Sequence, residues 1–249
     1  MGEVTFVGAG PGDPELITLK GWRALQSADT VIYAGSLVNP AVLDYCQPGV
    51  ELFDSQKMTL EETLTVMVEA VRAGKRVVRL HSGDPSLYGA IQEQMTRLAA
   101  HGIPYQVIPG VSSFLAAAAA IKREYTVPEV CQTVIISRLD GQTPVPEKER
   151  LGELARHRAS MCLFLSVQYI AEVVNQLLEG YPAETPVMVI EKASWPEERV
   201  ISGTLADIAG KVATAGITRT ALILVGDFLR ERGTRSKLYH PDFSHGSRG

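Results

Sequence analysis

The sequence contains little that would build a covalent or metal-stabilised scaffold. Only three cysteines occur in 249 residues, and they lie far apart at Cys46, Cys131 and Cys162. An odd number of widely spaced cysteines excludes a disulfide framework and indicates reduced, mostly buried thiols. No His or Cys cluster has metal-ligand spacing, since His240 and His245 stand in a polar tail. We therefore expect no protein-bound metal.

An excess of one charge and long apolar runs are also missing. The chain has 24 Lys and Arg against 28 Asp and Glu, a formal net charge of -4, and no basic stripe. We therefore expect no nucleic-acid partner. The apolar run at residues 114–121 is far shorter than the roughly 20 residues that span a bilayer, and Gly8 interrupts the apolar start. The sequence thus predicts a cytoplasmic protein with no leader and no membrane partner.

Two glycine-proline loops are the most informative segments that the sequence does contain. They read VGAGPGDP at residues 7–14 and HSGDPSLYGA at residues 81–90. Each follows a short apolar run, at residues 4–7 and 77–80, that is typical of a buried parallel strand. Both loops should therefore lie at the carboxyl edge of one sheet, where open α/β sheets bind small molecules.

The first loop lacks two parts of the dinucleotide-binding fingerprint. That fingerprint needs a third glycine at its sixth position, which is Asp13 here, and an acid at the end of the next strand. The next strand instead ends in Tyr33 and Ala34. Pro11 also removes an amide donor, so its ring favours a neutral or cationic ligand over a phosphate. A glycine turn between a strand and a helix is often purely structural, and this alternative stays open.

Strands and helices alternate along the whole chain. Asp13 is expected to cap the first helix, TLEE at residues 59–62 forms a capping box, and Gly102 closes a later helix. We predict helices at residues 14–28, 59–74, 91–100, 147–157, 170–179 and 205–215, and one that starts at Ser112 or Ser113. We predict strands at residues 4–7, 30–33, 76–80, 105–108, 133–137, 161–166, 187–191, 199–202 and 221–225.

The alternation is interrupted once, at residues 122–132, which we take as a linker. The prediction is an N-terminal α/β domain at 1–121, a C-terminal α/β domain at 133–229 and a polar tail at 230–249. The predicted fold class is therefore α/β, with two domains of mostly parallel sheets and a ligand cleft between them.

Several motifs carry a resemblance to a known family. They include VGAGPGDPELITLKG, RLHSGDPSLYG, IPGVSS, TRTALILVG and especially EKASWPEERV. These segments resemble the tetrapyrrole (corrin/porphyrin) methyltransferases, a class III methyltransferase type, and the resemblance runs from about Val4 to Phe228. YTVPEV, GQTPVPEKERL, LFLSVQ and the tail YHPDFSH are most similar to the subgroup that methylates C-11 of precorrin-4 or cobalt-precorrin-4 in cobalamin biosynthesis. The similarity is greater to the anaerobic, cobalt-using type.

The resemblance implies a homodimeric enzyme that binds S-adenosylmethionine as co-substrate and methylates a ring carbon of a tetrapyrrole. Because such a carbon is already nucleophilic and the sulfonium already activated, the protein needs to align them rather than supply an activated side chain. No catalytic residue is assigned. The positions that match the family's donor site are Pro11, Ser82, Gly83, Asp84, Leu87, Ser112, Ser113, Ser166, Ala193, Ala221 and Leu222. Among these, Asp84 is expected to face the donor's ammonium group.

Simpler interpretations remain for several of these positions. Ser112 fits an N-cap, and Ala221 and Leu222 fit the core. His81 is more typical of a hydrogen-bonded structural residue than of a catalyst, and Trp195 suits either ligand stacking or local packing. The substrate's carboxylates require cations near strand ends, for which the candidates are Arg79, Arg123, Arg138 and Lys192.

Two other functions are consistent with the same fold. A methyltransferase of this type could act on another tetrapyrrole position, because fold does not fix substrate. A small-ligand sensor or NAD-type oxidoreductase would use the same sheet edge, although Asp13 and the missing ribose acid argue against the nicotinamide version.

Overall fold

The structure is a computed structural model that describes residues 2–141 and 143–230. Residues 231–249, which hold almost all of the predicted polar tail with His240 and His245, lie outside the described residues.

The chain divides into two compact units, and each contains its own β-sheet and helices. The first comprises residues up to Ala116 together with Lys192–Glu197. The second comprises Ala117–Glu191 and the described residues from Glu198 onward. The first unit therefore includes a short segment from late in the sequence.

The first unit is built on a five-stranded parallel sheet in the order β3-β2-β4-β1-β5. Its strands are β1 (Val4–Gly8), β2 (Thr30–Tyr33), β3 (Glu51–Asp54), β4 (Val77–His81) and β5 (Tyr105–Ile108). The helices in this part of the chain are α1 (Leu19–Ser27), α2 (Leu60–Arg72), α3 (Ile91–Ala100) and α4 (Ser113–Ala120). The parallel pairing predicted from the apolar runs is confirmed for this sheet.

Both faces of this sheet are buried. Alternate residues of β1 point to opposite faces, so Phe6 joins the core that contains Met67 of α2 and Leu98 of α3. Val7 joins the core that contains Leu25 of α1. Burial on both faces explains why the central strands are almost continuously apolar.

Two helix starts show how the sequence sets boundaries. Thr59 and Glu62 form the predicted capping box at α2. The predicted helix at residues 14–28 is instead a short 3-10 turn at Pro14–Leu16 followed by α1. Asp13 caps only the turn, and Thr18 accepts the Gly21 amide at 3.1 Å to begin α1. A second helical segment thus begins after Thr18, because a second capping side chain follows the first.

The second unit contains a five-stranded mixed sheet in the order β6-β7-β10-β8-β9. Its strands are β6 (Val134–Arg138), β7 (Ser160–Phe164), β8 (Pro186–Glu191), β9 (Arg199–Thr204) and β10 (Ala221–Val225). Its helices are α5 (Leu151–Ala155), α6 (Ile170–Leu177) and α7 (Ile208–Ala215). The core lies between the sheet and these helices and includes Leu163, Val173 and Val212.

The expectation of mostly parallel pairing is wrong for this second sheet. Only β6 and β7 pair in parallel, and the other three pairings are antiparallel. Residues 192–198, which connect β8 to β9, are too few for the crossover of a dozen or more residues that parallel neighbours require. No described helix is long and apolar enough to cross a bilayer.

Candidate functional site

Three loops meet at the carboxyl edge of the first sheet. They follow β1, β4 and β5, which are adjacent strands. The first two loops are joined directly, because the Gly83 amide donates to the Gly10 carbonyl at 2.8 Å and the Gly10 amide donates to the Gly83 carbonyl at 3.3 Å. The prediction that both glycine loops share one sheet edge is therefore confirmed.

Asp84 attaches the third loop to the second. One carboxylate oxygen accepts from the Ser86 amide at 2.8 Å, and the other accepts from the Gly110 amide at 2.8 Å. Gly110 also packs directly on Gly8, because a Cβ added at Gly8 would lie 2.6 Å from the Gly110 Cα. These contacts give Asp84 a structural role that the sequence did not reveal.

The predicted donor residues of the first unit gather around these loops. Gly83 adopts a left-handed φ of +62°, and a Cβ added there would meet nothing closer than the Ser113 amide nitrogen at 3.6 Å. Pro11 and Ser112 are buried, and Ser113 is the first residue of α4. The second and third loops are thus brought together, and a Cβ at Gly83 would be in ordinary van der Waals contact with Ser112 and Ser113.

The predicted donor residues of the second unit have a different setting. The Ser166 hydroxyl is buried, donates to the Phe164 carbonyl at 2.6 Å and accepts from the Leu139 amide at 2.8 Å. Ala221 opens β10 half-buried, and Leu222 is buried beside it. Their part in donor binding stays a prediction.

The candidate cations differ sharply in how accessible they are. Arg79 is only 7% exposed, and its guanidinium donates to the Ile32 carbonyl at 3.2 Å and to Gln94 at 3.4 Å. Arg138 is half-buried and donates to the Thr143 carbonyl at 2.7 Å. Arg123 is half-buried as well. Arg79 thus lies within the first unit's interior, whereas Arg123 and Arg138 are partly solvated.

Lys192 lies over an aromatic ring rather than alone at a strand end. Its ammonium is 5.7 Å from the centroid of Trp195 and 3.6 Å from a Glu197 carboxylate oxygen. Both contacts are within the segment Lys192–Glu197. This segment also contains Ala193 and belongs to the first unit.

Two side chains of the same segment, Ser194 and Trp195, form hydrogen bonds with the first loop that the sequence did not predict. Trp195 Nε1 donates to the Pro11 carbonyl at 2.9 Å, and the Ser194 hydroxyl accepts from the Asp13 amide at 3.0 Å. Asn39 donates to the Gly12 carbonyl at 2.8 Å. Trp195 therefore packs against the first loop, a contact that neither interpretation from the sequence had predicted. No spacing pattern connects residues 181 or more positions apart.

His81 ends β4 in a buried environment. Burial, together with the nearby charge of Arg79, lowers the pKa of His81 from 6.5 to about 3. Its Nε2 is buried and has no hydrogen-bond partner among the described residues. The imidazole is therefore neutral at physiological pH, and the structure does not support His81 as an acid that loses a proton near pH 7.

This burial predicts an acid-dependent loss of stability. The unfolded chain binds a proton at His81 with a pKa of about 6.5, whereas the folded chain does so only at about pH 3. Above the unfolded-state pKa of about 6.5, the stability due to the neutral imidazole is fully present. It decreases as the pH falls below this pKa, by at most about 1.4 kcal/mol per pH unit. Urea unfolding between pH 7 and 4.5 should show a shallower decrease for His81→Asn than for the wild type. His157→Asn, at an exposed position, should keep the wild-type slope, and equal slopes in all three proteins would contradict the assignment.

The described residues contain no group of three or more His, Cys, Asp or Glu side chains placed to hold a metal ion. A parallel sheet with three joined loops at its carboxyl edge is the arrangement at which open α/β proteins commonly bind small molecules. The chain matches the model of the Tetrapyrrole (Corrin/Porphyrin) Methylases over residues 3–209, and it belongs to that family.

Individual relatives match almost the whole chain. A cobalt-precorrin-4 C(11)-methyltransferase of Methanocaldococcus jannaschii is 55% identical over 98% of this chain and 95% of the relative. The crystal structure of a cobalt precorrin-4 methyltransferase, a cobalamin biosynthetic enzyme, has a TM-score of 0.89 and 44% identity, covering 92% of this chain and 96% of that one. Uroporphyrin-III C-methyltransferase of Thermus thermophilus in complex with S-adenosylhomocysteine has a TM-score of 0.78 and 30% identity, over 92% and 94% of the two chains. The recognition of the family and of its α/β fold is confirmed.

Proposed function

We propose that this protein is an S-adenosylmethionine-dependent methyltransferase that methylates C-11 of cobalt-precorrin-4 in cobalamin biosynthesis. The observation that carries the proposal is the 55% identity to a cobalt-precorrin-4 C(11)-methyltransferase over 98% of the chain. The three joined loops supply a physical reason for donor binding at the edge of the first sheet. The expectation of a cytoplasmic homodimer belongs to the same proposal.

The loops of the first unit fit the methionine end of the donor. Gly83 has no side chain, so a ligand can approach its backbone closely, and the Ser113 amide nitrogen would lie 3.6 Å from an added Cβ. Ser113 begins α4, so its amide lies at the N-terminal end of an eight-residue helix. Leu87 is half-buried in the same loop and offers an apolar contact. We propose that these residues, with Ser82, Ser112, Pro11 and Ala193, hold the donor.

Asp84 has a more specific part in this proposal. Both of its oxygens already accept backbone amides, so it fixes the relative positions of the second and third loops. Each carboxylate oxygen has a further lone pair, and an ammonium group can therefore still bind there. Donor binding and the attachment of the second loop to the third would then depend on the same side chain.

S-Adenosylmethionine, when bound, supplies a methyl group already activated by its sulfonium. The chain's own residues then need to bind both ligands in line and exclude water. Alignment of this kind is worth on the order of 7 to 11 kcal/mol in favourable cases. The acceptor's conjugated ring is itself the nucleophile, so this proposal requires no activated Ser, Cys or Lys.

The acceptor's carboxylates need accessible cations. Arg123, Arg138 and Lys192 are half-buried, and we propose them for this role. We leave Arg79 out of the proposed set because its guanidinium is 7% exposed and bonded inside the first unit.

Calorimetry with S-adenosylhomocysteine and with NAD separates the proposed donor class from the oxidoreductase alternative. We expect binding of S-adenosylhomocysteine and none of NAD. Binding of NAD alone would contradict the proposal, because the loops would then serve a nicotinamide cofactor. Incubation with S-adenosylmethionine and either cobalt-precorrin-4 or uroporphyrinogen III then separates the proposed acceptor from another tetrapyrrole. The product mass should increase by one methyl group only with the first.

A further inference from the structure

A segment that is distant in sequence forms hydrogen bonds with the first loop. Residues Lys192–Glu197 lie between β8 and β9 in the chain but belong to the first unit. Trp195 Nε1 donates to the Pro11 carbonyl at 2.9 Å, and the Ser194 hydroxyl accepts from the Asp13 amide at 3.0 Å. Two consecutive side chains therefore bond the backbone on both sides of Gly12.

Because Gly12 has no side chain, the indole ring of Trp195 can pack directly against its backbone. A Cβ added there would lie 2.0 Å from Trp195 Cδ1 and 2.2 Å from Trp195 Nε1. Gly12 does not have the left-handed φ of Gly10 or Gly83. Glycine is therefore required at this position by the approach of the ring and not by an unusual backbone conformation.

A third side chain bonds the backbone of the same short segment. The Gly12 carbonyl accepts from Asn39 Nδ2 at 2.8 Å. Bonds from three separate side chains thus fix the backbone at residues 11–13. Lys192 holds the ring in turn, with its ammonium 5.7 Å from the centroid.

We infer that Trp195 is a positioning residue for the donor: its ring and N–H hold the segment from Pro11 to Asp13 in the shape that binds S-adenosylmethionine. The inference rests on the proposed function. It assigns to Trp195 an indirect role, in which the indole acts through the backbone of the first loop.

The main test compares donor affinity in two matched variants. Trp195→Phe keeps an aromatic ring and removes the donated hydrogen bond, so calorimetry should show S-adenosylhomocysteine affinity reduced about three- to tenfold. Trp22→Phe makes the same chemical change at the only other tryptophan, which is half-buried in α1, and should leave affinity unchanged. Equal affinity of Trp195→Phe and the wild type would overturn the inference.

A double-mutant cycle tests the steric contact. Gly12→Ala should reduce S-adenosylhomocysteine affinity by more than about tenfold when Trp195 is present, because the new methyl group meets the ring. In a Trp195→Ala background the same substitution should have little further effect, since the ring is gone. Independent, additive losses would show that Gly12 and Trp195 do not act as a pair and would contradict the inference.

Hydrogen exchange gives a measure that needs no ligand. The Asp13 amide is bonded to Ser194, so it should exchange faster in Trp195→Phe than in Trp22→Phe if the indole anchors this segment. Unchanged exchange would overturn the anchoring even if affinity fell. A wild-type chain that shows this anchoring but does not bind S-adenosylhomocysteine would refute the proposed function instead, so the two failures are distinguishable.

Discussion

Replacement of Gly83 by arginine is expected to abolish S-adenosylhomocysteine binding, with affinity lower by more than about 100-fold, or about 2.7 kcal/mol. A Cβ at Gly83 would point towards Ser112 and Ser113 at 3.6 to 3.7 Å, so the rest of an arginine side chain would extend past these residues. We place the methionine end of the donor beside them, and the arginine side chain would take its position. Calorimetry measures the loss.

A control must account for the backbone, because Gly83 has a φ of +62°. Any side chain in this conformation costs about 1 to 2 kcal/mol of stability. Gly102→Arg carries the same cost at a φ of +68°, after α3, where an added Cβ has no neighbour within 4 Å. We expect both variants to fold with similar losses of stability and only Gly83→Arg to lose binding. Normal affinity of Gly83→Arg would refute this placement of the donor.

Replacement of Gly110 by alanine is expected to cause a large loss of stability. The new Cβ would lie 2.2 Å from the Gly83 carbonyl oxygen and 2.8 Å from the Gly8 Cα. Both neighbours are backbone atoms of adjacent loops, so neither can rotate away. We expect a decrease of about 2 to 3 kcal/mol in the free energy of unfolding, together with weaker donor binding, because all three loops must shift.

Urea unfolding provides this measurement, and Gly210→Ala is the matched control. Gly210 lies within α7, and an added Cβ meets nothing within 4 Å. Alanine there should stabilise the protein by about 0.5 to 1 kcal/mol because it favours the helix. If Gly110→Ala were as stable as the wild type, the close packing of the three loops would be wrong.

The central strands of the first sheet were predictable because they are buried on both faces, whereas the edge strand β3, which is largely exposed, was not predicted. Continuous apolar runs at β1 and β4, each followed by glycine and proline, indicate parallel strands and place both loops at one edge. The capping box at Thr59 was equally local, since Glu62 lies one helical turn away. This capping box depends only on residues within one helical turn, so the sequence indicates it directly.

The second sheet and the first loop's anchor were not predictable in the same way. Apolar periodicity identifies a strand but not the direction of its neighbour, so the antiparallel partners of β10 were missed. Trp195 and Pro11 are 184 positions apart and meet only in the folded chain. The bond from the Gly110 amide to Asp84 likewise depends on a loop 26 residues away.

Locating the transferred carbon distinguishes methylation of cobalt-precorrin-4 at C-11 from methylation elsewhere on the ring. The purified protein is incubated with S-adenosylmethionine carrying a ¹³C-labelled methyl group and with cobalt-precorrin-4, and the product is analysed by NMR after removal of the metal. We expect one new labelled methyl group bonded to C-11, and none in a reaction with Gly83→Arg. A label on any other ring carbon, or no label in a chain that binds the donor, would contradict the proposed function.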